Sequence, residues 1–377
     1  MLYLDHAAST PLRPEAWAAM EDFRENFGNP AGIHGVSRGA KNAMEEAREH
    51  AAHLIGASRS DEIVFTGGGS EADNLAIKGA WDAAGLRSGV VVSAVEHKAV
   101  LESAAYVERL GGKASVVGVS RVGVVDPAEV AAAVEANTAV VSVMLANNET
   151  GAIQSVTEIA ERVKSVNPGS LVHTDAVQAF VSETLSVDEL GVDMLSLTAH
   201  KFGGPKGVGL LYVRDGAHIE PVVHGGSQER GRRAGTHNTM GIVGLVAAMA
   251  AADSDRERFR EMVAEARHRF EATLIEAIPG LRVNGPISNR LIQHSHVGFP
   301  GQNSETLLIR FDQAGLAAAA GSACQSGAVE VSHVLTAMGF TETEAAEAIR
   351  FSFGWTTGPG DAELAAKIVV DVVESLS

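Results

Sequence analysis

Short runs of β-branched and other apolar residues recur along the first part of the chain. Between them lie longer stretches in which apolar positions return every three or four residues. The runs Glu62–Thr66, Val90–Val95, Ala114–Val119, Ala139–Leu145, Leu171–Asp175, Met194–Ala199 and Val208–Val213 predict strands. Ser70–Asp82, Lys98–Leu110, Pro127–Glu135 and Val156–Val166 predict amphipathic helices. Near-continuous apolar strands separated by helices predict an α/β fold, a mostly parallel sheet sandwiched by helices. A long Arg- and Glu-rich helical run, Ser254–Ile278, then leads into a second region. That region carries short strands at Ile292–Phe299 and Ala346–Phe353, a small-residue loop around Ala317–Gly327 and a last helix at Asp361–Leu376.

Composition narrows the classes. An apolar share of 45% excludes a disordered chain, and 377 residues are typical of two domains. A formal net charge of −17 argues against nucleic acid as a main ligand. The longest apolar run, residues 240–252, is too short to cross a bilayer, so no membrane association is expected. The opening MLYLDHAAST has no basic stretch before an apolar run, so no targeting segment is expected either. One cysteine, Cys324, allows no intrachain disulfide and fits a reducing, cytoplasmic setting.

In open parallel sheets, ligands bind beyond the carboxyl ends of the strands. Thr66-Gly67-Gly68-Gly69-Ser70-Glu71 follows the first strand and opens a helix. It reads as a phosphate cradle or as a glycine-rich turn capped by Ser70. Gly67-x-Gly69-x-x-Ala72 also meets the dinucleotide fingerprint of a dehydrogenase, but Glu96 falls a few residues beyond the place of its acidic partner. His97 follows the second strand as a general base, a ring-stacking group or a helix-terminal residue. Asn147-Asn148-Glu149 follows the fourth, and Asp175 closes the fifth with Gln178 one helical turn on. Lys201, one of eight lysines, stands where Met194–Ala199 ends, after His200 and before Gly203-Gly204-Pro205. Alone, such a lysine is a solvated strand cap.

Taken together, these residues match what pyridoxal 5'-phosphate (PLP) requires. A lysine binds its aldehyde, a helix N-terminus binds its phosphate, and an acid faces its ring nitrogen. Two residues of the second region add to the set. Cys324 sits among small and polar neighbours, which favours access to the thiol. Arg350 interrupts an apolar strand, where an arginine pairs with a carboxylate of the protein or of a ligand. No metal site is expected.

The chain resembles the cysteine desulfurases of the iron–sulfur-assembly type, within the class V aminotransferase family of PLP enzymes (fold type I). The resemblance rests on Tyr3–Ala8, Gly28-Asn29-Pro30 with His34, Gly69–Asn74, Val95-Glu96-His97 and Asn147–Gly151. It continues through Asp175–Gln178, His200–Gly207, His224-Gly225-Gly226, Gln228-Glu229-Arg230, Gly235-Thr236, Gly321–Cys324 and Arg350-Phe351-Ser352. It implies a PLP-binding large domain over 15–253 and a small α+β domain over 254–377 joined by 1–14. It implies that Lys201 holds PLP, that Asp175 faces the pyridine nitrogen, Gln178 the phenolic oxygen, and that His97 stacks on the ring. Gly69, Ser70, Thr198 and His200 would hold the phosphate, with Thr236 reaching in from the other subunit of a homodimer. Asn147 and Arg350 would grip the carboxylate of L-cysteine, Asn29 would line the pocket, and Cys324 would accept the sulfur. An iron–sulfur scaffold or another sulfur-acceptor protein is the implied partner. A selenocysteine lyase or an aminotransferase of the same fold is the alternative.

The sequence departs from the family in places. The phosphate loop has Thr66-Gly67-Gly68-Gly69-Ser70 where relatives commonly have Ser-Gly-Ala-Thr, and Ala31-Gly32 replaces a common Ser-Ser. The chain ends at Ser377, soon after its last expected helix, where relatives use a longer tail in scaffold docking.

Overall fold

The computed structural model describes residues 1–85, 88–321 and 331–376. Its strands, in chain order, are β1 (Leu2–Tyr3), β2 (Ile63–Thr66), β3 (Gly89–Ser93), β4 (Lys113–Val117), β5 (Thr138–Ser142) and β6 (Leu171–Asp175). They continue with β7 (Met194–Thr198), β8 (Gly209–Val213), β9 (Arg282–Val283), β10 (His294–Gly298), β11 (Leu316–Ala317) and β12 (Ala348–Ser352). Seven form one sheet in the order β2-β8-β7-β6-β5-β3-β4. All run parallel except β8, which is antiparallel to both of its neighbours.

The period-2 alternation of the strands divides two apolar layers. Val64, Val90, Val92, Val140 and Met194 pack under helices Gly69–Ala84 and Lys98–Arg109. Ile63, Phe65, Val91, Val141, Leu195 and Leu197 point the other way, under helices Gly35–Leu54, Val156–Val166 and Thr239–Ser254. Each such side chain, fully buried, contributes about 1.5–3 kcal/mol. β4 carries Lys113 and is only partly covered, as suits an edge strand.

A second core gathers around an antiparallel sheet, β12-β10-β9, covered by helices Arg256–Ala277, Ser304–Gln313 and Asp361–Leu376. Its centre is aromatic. The Phe270 ring lies 4.9 Å from that of Phe351 and 5.6 Å from that of Phe353. The chain's opening also enters this core through Leu4, and β1 pairs with β11 in parallel.

Two differences from the sequence pattern have physical causes. Helices Pro14–Asp22 and Gly35–Leu54 fall where the apolar pattern names no element. Their buried faces are mostly alanine, Ala16, Ala40, Ala47 and Ala51, which marks a core less plainly than larger apolar residues do. The apolar run 240–252 is a helix, Thr239–Ser254, which ends at Asp255 where Arg256–Ala277 begins. Arg13 holds that junction by an ion pair of 3.0 Å to Asp255.

Candidate active site

The carboxyl ends of the parallel strands open onto a cavity of about 730 Å³. Gly69, Ser70, His97, Asp175, Gln178, Thr198, His200, Lys201 and Arg350 all line it.

Lys201 reaches the cavity because β7 stops at Thr198 and the chain tightens into a single 3₁₀ turn, Ala199–Lys201. Gly203 follows with φ +94°, and a Cβ there would lie 2.4 Å from Arg13 Cγ, so only glycine permits this turn. The Lys201 Nζ donates to the carbonyls of Ala7 at 2.5 Å and Ala8 at 2.9 Å. Burial, and then the charge of Arg350, pull the ammonium down to about 8, against Asp5 and Asp175. A solvated cap would not be lowered in this way. At neutral pH a usable fraction of this lysine is a free amine.

Asp175 ends β6 and accepts the Val177 N–H at 2.8 Å. Burial raises its carboxyl, opposed by His97, by that hydrogen bond and by Lys201. Gln178 donates to the Ala7 carbonyl at 3.0 Å. His97 is both helix cap and cavity wall: its Nδ1 accepts from Ala99 N at 3.2 Å, which leaves the proton of the neutral ring on Nε2. Burial lowers its pKa, against the pull of Asp175.

The cradle is built from the turn before helix Gly69–Ala84. Gly68 takes φ +146°, a conformation that L side chains rarely adopt, and so turns the chain into the helix. The first-turn N–H groups have no carbonyl one turn earlier to bond, and they carry the positive end of the helix dipole. A Cβ on Gly69 would lie 3.4 Å from that of Thr198, which brings the hydroxyl-bearing end of β7 against the cradle. Glu71 closes the loop from outside, accepting from Gly67 N at 2.9 Å and Arg233 Nε at 2.7 Å. Burial, then Lys201, lowers His200 to about 4, so its ring is neutral and can donate to an anion.

Arg350 comes from β12 on the opposite wall. Its Nη2 donates to Asp5 Oδ1 at 2.7 Å and its Nη1 to Asn148 O at 2.8 Å. Its Nε is buried without a hydrogen-bond partner among the described residues.

Three expected residues are elsewhere. Asn147 does not line the cavity. It is fully buried: its Nδ2 donates to Val95 O at 3.0 Å, and its Oδ1 accepts from Glu149 N, Thr150 N and Thr150 Oγ1. It holds its own turn together. Asn29 accepts from Ala31 N at 3.0 Å in an exposed loop away from the cavity. Thr236 is exposed and also off this chain's cavity. The loop before Thr236 is pinned by Glu229, whose carboxylate takes Arg48 in two bonds of 2.7 and 3.0 Å and His237 at 2.8 Å. These contacts hold Glu229 and Arg230 at φ +47° and +56°. Cys324 lies outside the described residues.

The structure adds groups that the strand-end reading leaves unassigned. The Ala7 and Ala8 carbonyls are backbone atoms, which no side-chain pattern signals. Asp73, Glu149 and His333 also border the cavity. Glu96 turns inward: its carboxyl accepts from Ser93 Oγ at 2.6 Å and Met144 N at 2.7 Å, so it cannot serve a dinucleotide ribose. Among the described residues, no group of His, Cys, Asp and Glu could hold a metal.

This arrangement belongs to a known class. The aminotransferase class-V family profile matches residues 2–363. A protein named cysteine desulfurase IscS from Dictyoglomus turgidum is 42% identical over 377 residues, covering 100% of this chain and 95% of that one. One of the same name from Methanosarcina thermophila is 40% identical, covering 100% and 92%. A solved structure named NifS-like protein superposes with a TM-score of 0.93 at 34% identity, covering 99% of each chain. The chain belongs to the aminotransferase class-V family.

Proposed function

We propose that this protein is a PLP-dependent cysteine desulfurase that takes sulfur from L-cysteine onto Cys324 and releases L-alanine. The observation that carries this reading is the Lys201 amine, drawn down to about 8 inside a cavity that also holds Asp175 and His97. The relatives named as cysteine desulfurases, matched over nearly the full length of both chains, support it.

The residues present fit the cofactor. Lys201 supplies the amine and Asp175 the buried acid; Gln178 lies beside them. The Gly69–Ser70 helix start, Thr198 and the neutral His200 supply hydroxyls and N–H donors for a phosphate. Bound there, PLP supplies an electron sink for bonds at the Cα of an amino acid. Arg350, fixed by Asp5 and Asn148, orients the substrate carboxylate. Lys201 and His97 are the groups that move protons. In the net reaction the substrate C–S bond breaks, an S–S bond forms on Cys324, and the thiol proton ends on the carbon that lost sulfur.

Several finer readings stand on the same footing. The division into 15–253 and 254–377 with 1–14 is supported by the separate core that contains both Leu4 and Phe270. A homodimer with Thr236 reaching the other subunit's phosphate site is supported by the exposure of Thr236, Phe27 and Ile33. A sulfur-acceptor protein is the partner. A cytoplasmic location is proposed on the resemblance; among the described residues, no helix is long and apolar enough to cross a membrane.

The test is mass spectrometry of the PLP-loaded protein after L-cysteine is added. One extra sulfur on Cys324 and free alanine are expected. Alanine formed at the same rate by Cys324→Ala would overturn the sulfur-acceptor role, and a protein that takes up no PLP would overturn the whole reading.

A further inference from the structure

The sheet face beneath helix Gly69–Ala84 is apolar at Val64, Val90, Val92, Leu211 and Val213. At its centre it turns polar. Ser142 on β5, His173 and Asp175 on β6 and Ser196 on β7 all fall on this face, because Val141, Val172, Leu195 and Leu197 pack into the opposite layer. The register sets Ser142 beside His173 and Ser196 beside Asp175. Asp73 descends onto the patch from the helix and is 1% exposed. It borders the cavity, as Asp175 does.

His173 occupies the middle. Its Nδ1 is 2.8 Å from Ser142 Oγ and its Nε2 is 2.9 Å from Ser196 Oγ. Burial lowers it to about 3, so it brings no charge. Asp73 Oδ1 lies 3.7 Å from the same Nε2 and has no hydrogen-bond partner among the described residues. Ser196 is the hydroxyl that reaches Asp73. The titratable groups facing Asp73 are therefore Asp175, Glu96 and the neutral His173. Glu71, on its own helix, is paired with Arg233. An ionised Asp73 would be a buried carboxylate with another acid beside it and no cation among the groups that face it, an arrangement that burial strongly disfavours. Burial, then Asp175, pushes its carboxyl well above the ordinary range, against the hydrogen bond from Ser196. Burial also raises Glu96, to about 8. Asp175 differs, because it accepts the Val177 N–H and faces His97 and Lys201. Acids in one buried patch with unlike surroundings divide the roles, and those without a cation keep their protons.

We propose that Asp73 is held as a neutral carboxylic acid under the cavity floor, bonded into the Ser196–His173–Ser142 chain. There it acts as the positioning residue that leaves Asp175 as the one carboxylate facing the cofactor's ring nitrogen. This rests on the PLP reading. A neutral Asp73 has the shape and hydrogen-bonding capacity of asparagine and adds no charge. An ionised one would set a second negative charge beside Asp175 and strengthen the hold on the ring-nitrogen proton.

The test compares wild type, Asp73→Asn and Asp73→Ala as full-length chains. Infrared difference spectra of the PLP-free protein at neutral pH should show a buried carboxylic-acid band that Asp73→Asn loses. PLP titration by visible absorbance should give Asp73→Asn a Kd within about twofold of wild type, and Asp73→Ala one about tenfold weaker. The pH midpoint of the bound-cofactor band should be the same in wild type and Asp73→Asn. An acid band untouched by Asp73→Asn, or a midpoint moved by about one pH unit or more, would mean that Asp73 is ionised and would overturn the proposal. An Asp73→Ala protein with wild-type affinity would overturn the positioning role. If Asp73→Ala does not fold, the infrared band and the midpoint of Asp73→Asn decide. A wild type that binds no PLP would instead sink the cofactor reading, while the infrared comparison still reports the protonation state of Asp73.

Discussion

Arg350 and Asp5 form an ion pair of 2.7 Å across the mouth of the cavity. Arg350 belongs to β12 of the second core, and Asp5 to the opening segment that leads on to Ala7 and Lys201. The guanidinium is therefore set in place before any ligand arrives.

Removing that fork should weaken substrate capture more than cofactor binding. Arg350→Ala is expected to raise KM for L-cysteine about 10–100-fold, the range of one or two charge-assisted hydrogen bonds. PLP absorbance should remain. Arg350→Lys should recover only part, since an ammonium lacks the planar fork. Alanine formation at varied L-cysteine, with absorbance recorded on the same samples, checks this. An unchanged KM would remove Arg350 from the carboxylate site.

The value of about 8 for Lys201 gives a pH prediction with a definite sign. The neutral amine is the reactive form, so capture of PLP by the cofactor-free chain should quicken about tenfold per pH unit below that value and level off above it. Borohydride reduction followed by peptide mapping locates the attachment. Lys201→Ala should show none, while Lys206→Ala, which alters an exposed lysine of the same loop, should label as wild type does.

The Arg48–Glu229 pair should dominate part of the acid-unfolding profile. Burial would raise Glu229, but hydrogen bonds from His237 and Arg48 outweigh it and hold it at about 2. A depressed carboxylate stabilises the fold above its unfolded value, and the contribution fades as pH falls through the folded one. Between about pH 5 and pH 2 the wild type should lose up to about 3 kcal/mol from this group, a slope that Glu229→Gln should lack. Arg48→Ala should cost about 3–5 kcal/mol at neutral pH, because it strands a buried charge. Urea unfolding at stepped pH reads both.

Phe270→Ala should cost about 3–5 kcal/mol, since it empties the centre of the aromatic core. Chemical denaturation followed by circular dichroism measures it. A loss below about 1 kcal/mol would mean that the surrounding rings close the gap.

Much of the site was legible because its residues end strands. Asp175, Lys201 and the Gly67–Ser70 turn each close or follow a buried strand, and a parallel sheet presents all such ends on one edge. Asn147 also follows a strand, yet its short side chain folds back onto its own turn, and position alone does not give orientation. Glu229 falls in a family motif, but its partner Arg48 lies far away in sequence, so spacing does not reveal the hub. His173 and Asp175 did leave a trace: two polar residues two apart inside a buried strand mark one face of a sheet. Asp73 reaches that face from a helix, and no spacing rule links the two.

The opening segment has a consequence for synthesis. Leu2 and Tyr3 pair with Leu316 and Ala317, and Asp5 with Arg350, while the Ala7 carbonyl receives Lys201 and Gln178. Asp5 must wait for a partner made 345 positions later. The seven-stranded sheet is complete once Val213 has emerged, but the cavity wall is not. A ribosome-bound chain that ends before β12 thus holds Lys201 without the arginine opposite, and the cavity wall is completed only once β12 has emerged.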